Sequence, residues 1–220
     1  MNAIPEPALA VRCLAKRFGG VVAADGIDLD VWPTEIHAVI GPNGSGKTTL
    51  LRQIFGEVMP DTGTIQIQGC IVNQFSVSDR VRAGLGRSYQ IISNFPELTV
   101  AENVSFGLRM RKGTEASPWF MAQRDRTTLV DAERLLDQVG LKGRAAVPAS
   151  VLSHGELRQL ELAIALSTEP SVLLLDEPLA GLGTGESRTM TTYIKSLRSE
   201  FAVLLVEHDL EAVFAVADRI

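Results

Sequence analysis

Eight residues, Gly41-Pro42-Asn43-Gly44-Ser45-Gly46-Lys47-Thr48, restrict this chain more than any other segment does. They fit the pattern G-x-x-x-x-G-K-[ST] and lie between an apolar strand expected over residues 35–40 and a helix expected from Lys47 to about Val58. Small side chains let successive backbone N–H groups turn inward around a triphosphate. The N-terminus of the following helix adds partial positive charge, and Lys47 is placed to reach the β- and γ-phosphates. Thr48 offers a hydroxyl to Mg²⁺. A strand–loop–helix unit of this kind belongs in a sheet whose ligand edge is its carboxyl end.

The remaining pattern supplies such a sheet. Short strands are expected over residues 8–14, 27–31 and 35–40, punctuated by Gly19-Gly20 and Trp32-Pro33, with more between 63 and 72. A short helix is expected over 79–83 and a strand over 85–90. From 91 to about 151 the periodicity is mainly helical, over 100–110 and roughly 119–139, with a loop at 113–118. Beyond that, helices over 155–167, 185–198 and 210–217 alternate with strands over 172–176 and 202–206. Strands alternating with helices imply a parallel sheet covered on its faces, here interrupted by a helical lobe.

Composition narrows the function class. With 21 Lys and Arg against 26 Asp and Glu the net charge is −5, which disfavours a general nucleic-acid binder. No apolar run approaches the ~18 residues that cross a bilayer, and the first residues show no secretory signal. Cys13 and Cys70 form neither a disulfide framework nor a metal spacing, and are expected to pack in strands as reduced thiols. A cytosolic location follows, with any membrane contact peripheral.

Two further motifs carry chemistry. Val172-Leu173-Leu174-Leu175-Asp176-Glu177 is a buried strand delivering two acids at its carboxyl end. Asp176 suits the Mg²⁺ shell, and Glu177 suits a general base that activates water. Leu152-Ser153-His154-Gly155-Glu156 opens a helix, with Ser153 and Glu156 spaced as a capping box. Capping alone accounts for those two residues; a capped helix end with small residues is also an anion site.

Together these motifs resemble the ATPases of ABC transporters across essentially the whole chain. The resemblance implies an α/β P-loop NTPase (RecA-like) core with an N-terminal antiparallel β subdomain, over 1–90 and 152–220, and an inserted α-helical subdomain over 91–151. It implies ATP and Mg²⁺ as ligands, with Gly41, Pro42, Asn43, Gly44, Ser45, Gly46, Lys47, Thr48 and Thr49 as the Walker A loop. Phe18, with Val22 beside it, fits the aromatic that stacks on adenine; a core aromatic near the Gly19-Gly20 turn is the other reading. Gln90 fits the glutamine that touches Mg²⁺ and water, beside Thr48 and Asp176 as metal ligands. His208 fits the switch histidine that contacts the γ-phosphate, and Ser153, His154, Gly155 and Glu156 the signature that binds nucleotide held by a partner subunit. His37 matches no motif and is read as structural.

Two departures stand out. Family signatures usually carry Gly at the position of His154 and Gln at that of Glu156, where an inward-pointing carboxylate would repel phosphate. The loop Leu179-Ala180-Gly181-Leu182-Gly183 lacks the aspartate usual there. Residues 94–104, Ser153–Glu156 and Ala180-Gly181-Leu182 resemble the ATPases of branched-chain amino-acid importers. That implies two membrane permease subunits, a second ATPase that is either identical or a paralogue, an indirect periplasmic solute-binding protein, and a position on the inner face of the membrane. Urea or amide import and a soluble non-transport ABC protein are the alternatives, and a small-molecule kinase lacks an account of the signature and His208. The family also continues past Ile220, so that a strand starting at Arg219-Ile220 is expected to run on.

Overall fold

The computed structural model describes residues 6–88, 94–111 and 126–220. Two four-stranded sheets organise it. The first is antiparallel, in the order β2-β1-β4-β5, from β1 (Leu9–Phe18), β2 (Val21–Val31), β4 (Thr62–Ile67) and β5 (Cys70–Ile71). The second is parallel, in the order β3-β8-β7-β6, from β3 (Ile36–Val39), β6 (Leu85–Ser88), β7 (Val172–Asp176) and β8 (Ala202–Val206).

The parallel sheet is apolar throughout because both its faces are covered. Leu173, Leu175, Val203 and Leu205 face one core. It contains residues of α3 (Val100–Arg111), α4 (Arg126–Gln138), α5 (His154–Ser167), α6 (Thr184–Leu197) and α7 (Leu210–Val216). The alternate residues Val172, Leu174, Leu204 and Val206 face a second core. There they meet Leu50, Leu51 and Ile54 of α1 (Lys47–Phe55) and Leu9, Leu14 and Ile65 of the antiparallel sheet. The phosphate-loop helix is therefore sandwiched between the sheets.

Arg80, on α2 (Val77–Arg82), fixes the far end of that helix. Its buried guanidinium donates to the carbonyls of Gln53 and Ile54, each at 2.7 Å, and of Asn73 at 3.1 Å. The bonds to Gln53 and Ile54 add donors at a helix C-terminus, where carbonyls lack intrahelical partners, and the bond to Asn73 ties that end to the segment after β5.

Two expectations change. The first two strands are a long hairpin turning at Gly19-Gly20, with register shifts along β1, and not two short separate strands. Cys13 and Cys70 lie in strands as free thiols, but both are exposed and not packed inside. The expected loop at 113–118, and the start of the helix expected from 119, fall outside the described residues. At the other end Arg219 pairs with His37 in a parallel bridge, its carbonyl accepting the Ala38 N–H at 2.8 Å. His37 holds the Asp30 carbonyl at 2.8 Å through Nδ1, a structural role.

Candidate nucleotide site

The carboxyl ends of the parallel strands lie on one edge, and the phosphate loop, the Asp176-Glu177 pair and His208 lie at or just beyond the ends of β3, β7 and β8 there. β3 runs into the loop from Ile40 to Gly46, and Gly46 then caps α1 at φ 92°, with no side-chain hydrogen bond and no acidic residue in the first turn. The helix N-terminus is thus left to an external anion. Glycine is required at Gly46 for a second reason: a Cβ there would collide with the carbonyl oxygen of Ala23. Lys47 is nearly buried and spans the loop, its Nζ donating to Gly41 O at 2.6 Å and Pro42 O at 2.9 Å. Its ammonium is held where it faces the loop interior.

A cleft of about 470 Å³ opens above this loop, lined by Phe18, Val22, Asn43, Gly44, Gly46, Lys47, Thr48, Thr49 and Glu177, with Val21 and Ala23 between them. Phe18 is 49% exposed on the cleft wall, so it is not a core aromatic. A flat apolar ring beside phosphate-binding N–H groups suits a purine base stacked at the end of a phosphate chain. Gln90 lies outside the described residues.

Beneath the cleft lies a buried charge network. Arg87 Nη2 is 3.1 Å from Asp176 Oδ2 and Arg87 Nη1 is 3.1 Å from Glu57 Oε2, with the Arg87 and Asp176 side chains almost fully enclosed. Burial pushes the Asp176 carboxyl above the ordinary carboxylate range; Arg87 opposes this, while Glu177 and Glu57 push the same way as burial. Asp176 Oδ1 is buried and has no hydrogen-bond partner among the described residues. An orphaned buried carboxylate oxygen is the kind of donor a hard cation takes. Among the described residues no group of three or more His, Cys, Asp or Glu forms a cage. Mg²⁺ takes one or two protein oxygens and completes its shell with phosphate and water.

Glu177 follows Asp176 in the left-handed region, φ 50°, a conformation that costs a non-glycine residue about 1–3 kcal/mol. It is held there by its N–H to Val206 O at 2.9 Å and by Ala180 N–H to its own carbonyl at 3.1 Å. His208 Nδ1 stands 3.8 Å from Glu177 Oε2, so the two side chains share the cleft edge.

Ser153–Glu156 lies outside this cleft; Gly155 and Glu156 line a separate pocket with Gln159 and Leu182. Both departures there have a structural account. Glu156 turns back to accept the Ser153 N–H at 2.8 Å and pairs with Arg144 at 2.9 Å, completing the capping box. Those contacts hold its carboxyl below its usual range, the Ser153 N–H most, and offset its charge with that N–H and the Arg144 guanidinium. The His154 ring lies over Gly181, at φ 76°, where a Cβ would come within 2.9 Å of the imidazole. The bulky signature residue and the small residue in the loop after β7 therefore fit each other.

Sequence reasoning did not find Arg87, Glu57 or Arg144 beside the site residues. Arg87 was open to detection as a lone cation in an apolar strand; the others gave no comparable signal.

A phosphate loop, an acid pair at a strand end and a switch-like histidine on one sheet edge define a nucleotide hydrolase of the P-loop class. The ABC transporter family profile matches residues 24–180, and the chain belongs to that family as an ATP-binding, ATP-hydrolysing importer subunit. It is 35% identical over 98% of its length to the high-affinity branched-chain amino acid transport ATP-binding protein LivG of Escherichia coli K12, covering 87% of that protein. It is also 35% identical to the fructose import ATP-binding protein FrcA of Rhizobium meliloti, over 98% of this chain and 84% of that one. The crystal structure of the ADP conformation of MJ1267, an ATP-binding cassette of an ABC transporter, superimposes with a TM-score of 0.83 at 26% identity, over 96% of this chain and 85% of that one.

Proposed function

We propose that this chain energises uptake of branched-chain amino acids, bound to two membrane permease subunits and paired with a second ATPase on the inner face of the membrane. The single observation that carries the chemistry is the cleft in which Phe18, the Gly41–Thr49 loop and Glu177 meet above Asp176. The similarity to LivG, together with the His154 and Ala180-Gly181-Leu182 segments, supports the solute class. The equal identity to FrcA makes a sugar the competing cargo. Among the described residues no helix is long and apolar enough to cross a membrane, so translocation falls to the permeases.

In this reading ATP enters with its base against Phe18 and Val22 and its phosphates along the loop N–H groups, with Lys47 moving from the loop carbonyls to the β- and γ-phosphates. Thr48, Asp176 and Gln90 would hold Mg²⁺, which would neutralise charge on the phosphate oxygens. Glu177 takes a proton from the attacking water while His208 holds the γ-phosphate side of the cleft. The N-terminus of α5, at Ser153, His154, Gly155 and Glu156, serves the nucleotide of the partner ATPase, since it does not reach the cleft of its own chain. Residues 91–151 form the lobe that meets the permeases, and closure of the paired ATPases moves it.

The test has two arms. E177Q should bind ATP normally and hydrolyse it at least ~100-fold more slowly; near-normal turnover removes Glu177 from the base role. Affinity capture of the tagged chain from gently solubilised membranes should recover two polytopic permeases and a second ATPase. Recovery of ribosomal or DNA-associated proteins without them would end the importer reading.

A further inference from the structure

Glu207 directly follows β8, and it is only 1% exposed. A carboxylate enclosed to that degree persists only when its oxygens are hydrogen-bonded. Here each oxygen has a backbone partner, and the two partners lie on different loops. Oε1 accepts the N–H of Leu179, two residues after Glu177, at 2.9 Å. Oε2 accepts the N–H of His208 at 3.1 Å and stands 3.7 Å from that residue's Nδ1.

We propose that Glu207 is a positioning residue for hydrolysis, clamping the loop that carries Glu177 to the loop that carries His208. It is not among the residues that line the cleft. It completes a two-sided hold on the segment from Glu177 to Leu179. On one side the Glu177 N–H reaches Val206 O at 2.9 Å, and on the other the Leu179 N–H reaches Glu207. Glu177 sits in a strained left-handed conformation, so its direction depends on such outside restraints. His208, 56% exposed, gains its placement from the same carboxylate. The 3.8 Å separation of the Glu177 carboxylate and the His208 imidazole is thereby set by one buried group acting on both backbones. Misplacing a reacting group by about 1 Å can cost ~100-fold in rate, which is the scale such a clamp has to control.

The inference rests on Glu177 and His208 acting as proposed above, and the test separates the two. In E207Q the amide offers one acceptor, so one loop N–H loses its bond and faces an NH₂ group. ATP affinity, read with a fluorescent ATP analogue, should stay within about twofold while kcat falls roughly 10- to 100-fold. In the H208A background the same substitution should lower kcat by less than about threefold, because the two residues act as one unit. Equal fold-losses in both backgrounds, or a loss confined to KM, would make Glu207 a structural residue only and overturn the proposal. Turnover lost in E177Q but kept in E207Q defeats the clamp alone; turnover kept in E177Q defeats the base assignment. Hydrogen exchange on the unsubstituted protein gives an answer that does not depend on variant folding. The Leu179 and His208 amides should exchange slowly and together, and fast exchange of either contradicts the clamp.

Discussion

Replacing Arg87 with methionine removes the cation between two carboxylates and leaves Asp176 enclosed. Arg87 and Asp176 are 3% and 1% exposed at the side chain and 3.1 Å apart, so solvent screens the pair little. Removing one member of such a pair typically costs about 3–5 kcal/mol. An independent bound comes from protonation, since an unpaired buried carboxylate escapes its penalty by taking up a proton. Starting from an ordinary carboxyl pKa of about 3.9, this costs ~4 kcal/mol at pH 7 and ~1.5 kcal/mol at pH 5, at 1.36 kcal/mol per unit. The sign follows from linkage: R87M raises the folded-state pKa of Asp176 further, so the variant's deficit is smallest in acid and grows as pH rises. Urea unfolding of R87M should therefore show a loss of at most about 4 kcal/mol at pH 7 and at most about 1.5 at pH 5, because burial already raises Asp176 in the unsubstituted protein, and R87M/D176N should recover most of it. A loss below about 1 kcal/mol at pH 7, or one independent of pH, would refute the reasoning.

Three further predictions come from other parts of the fold. G46A places a Cβ against the Ala23 carbonyl at a φ of 92°, so unfolding stability should fall by about 2 kcal/mol or more. ATP affinity, by titration calorimetry, should fall at least ~10-fold with the lost loop geometry. R80M leaves the Gln53, Ile54 and Asn73 carbonyls without their donor. A stability loss of about 3 kcal/mol is expected in urea, and lysine should not restore it because its single ammonium lacks the fork that reaches three acceptors. Glu156, held below its ordinary 4.5 first by the Ser153 N–H, contributes stability above that pH and loses it as pH falls through the lower folded value. E156Q should therefore be less stable at neutral pH by about 1 kcal/mol or less, given its partial exposure, with a shallower acid decline in circular dichroism.

What was legible in the sequence was what local chemistry dictates. The phosphate loop binds through its own backbone, so Gly41 to Thr48 declares itself, and the buried strands at Val172 and Ala202 are apolar on both faces because helices cover both. The hairpin was half hidden because its outer part is solvent-exposed and bulged, which erases the alternation that marks a strand. Cys13 and Cys70 were misjudged for the same reason: a strand position says nothing about which face meets water. Arg87 and Glu207 were missed because their partners lie 89 and 28 residues away, brought close only by strand pairing. The meaning of Glu156 and His154 likewise depended on Arg144 and Gly181, whose approach no spacing announces.

ATP-driven uptake into vesicles holding the chain with its permeases and solute-binding protein tests the central claim most directly. Labelled leucine, isoleucine or valine should accumulate only with ATP and Mg²⁺, and E177Q should abolish accumulation while leaving the complex assembled. Accumulation of fructose or urea in place of these amino acids would contradict the assigned solute, and leucine uptake that persists with E177Q would contradict the coupling of hydrolysis to transport.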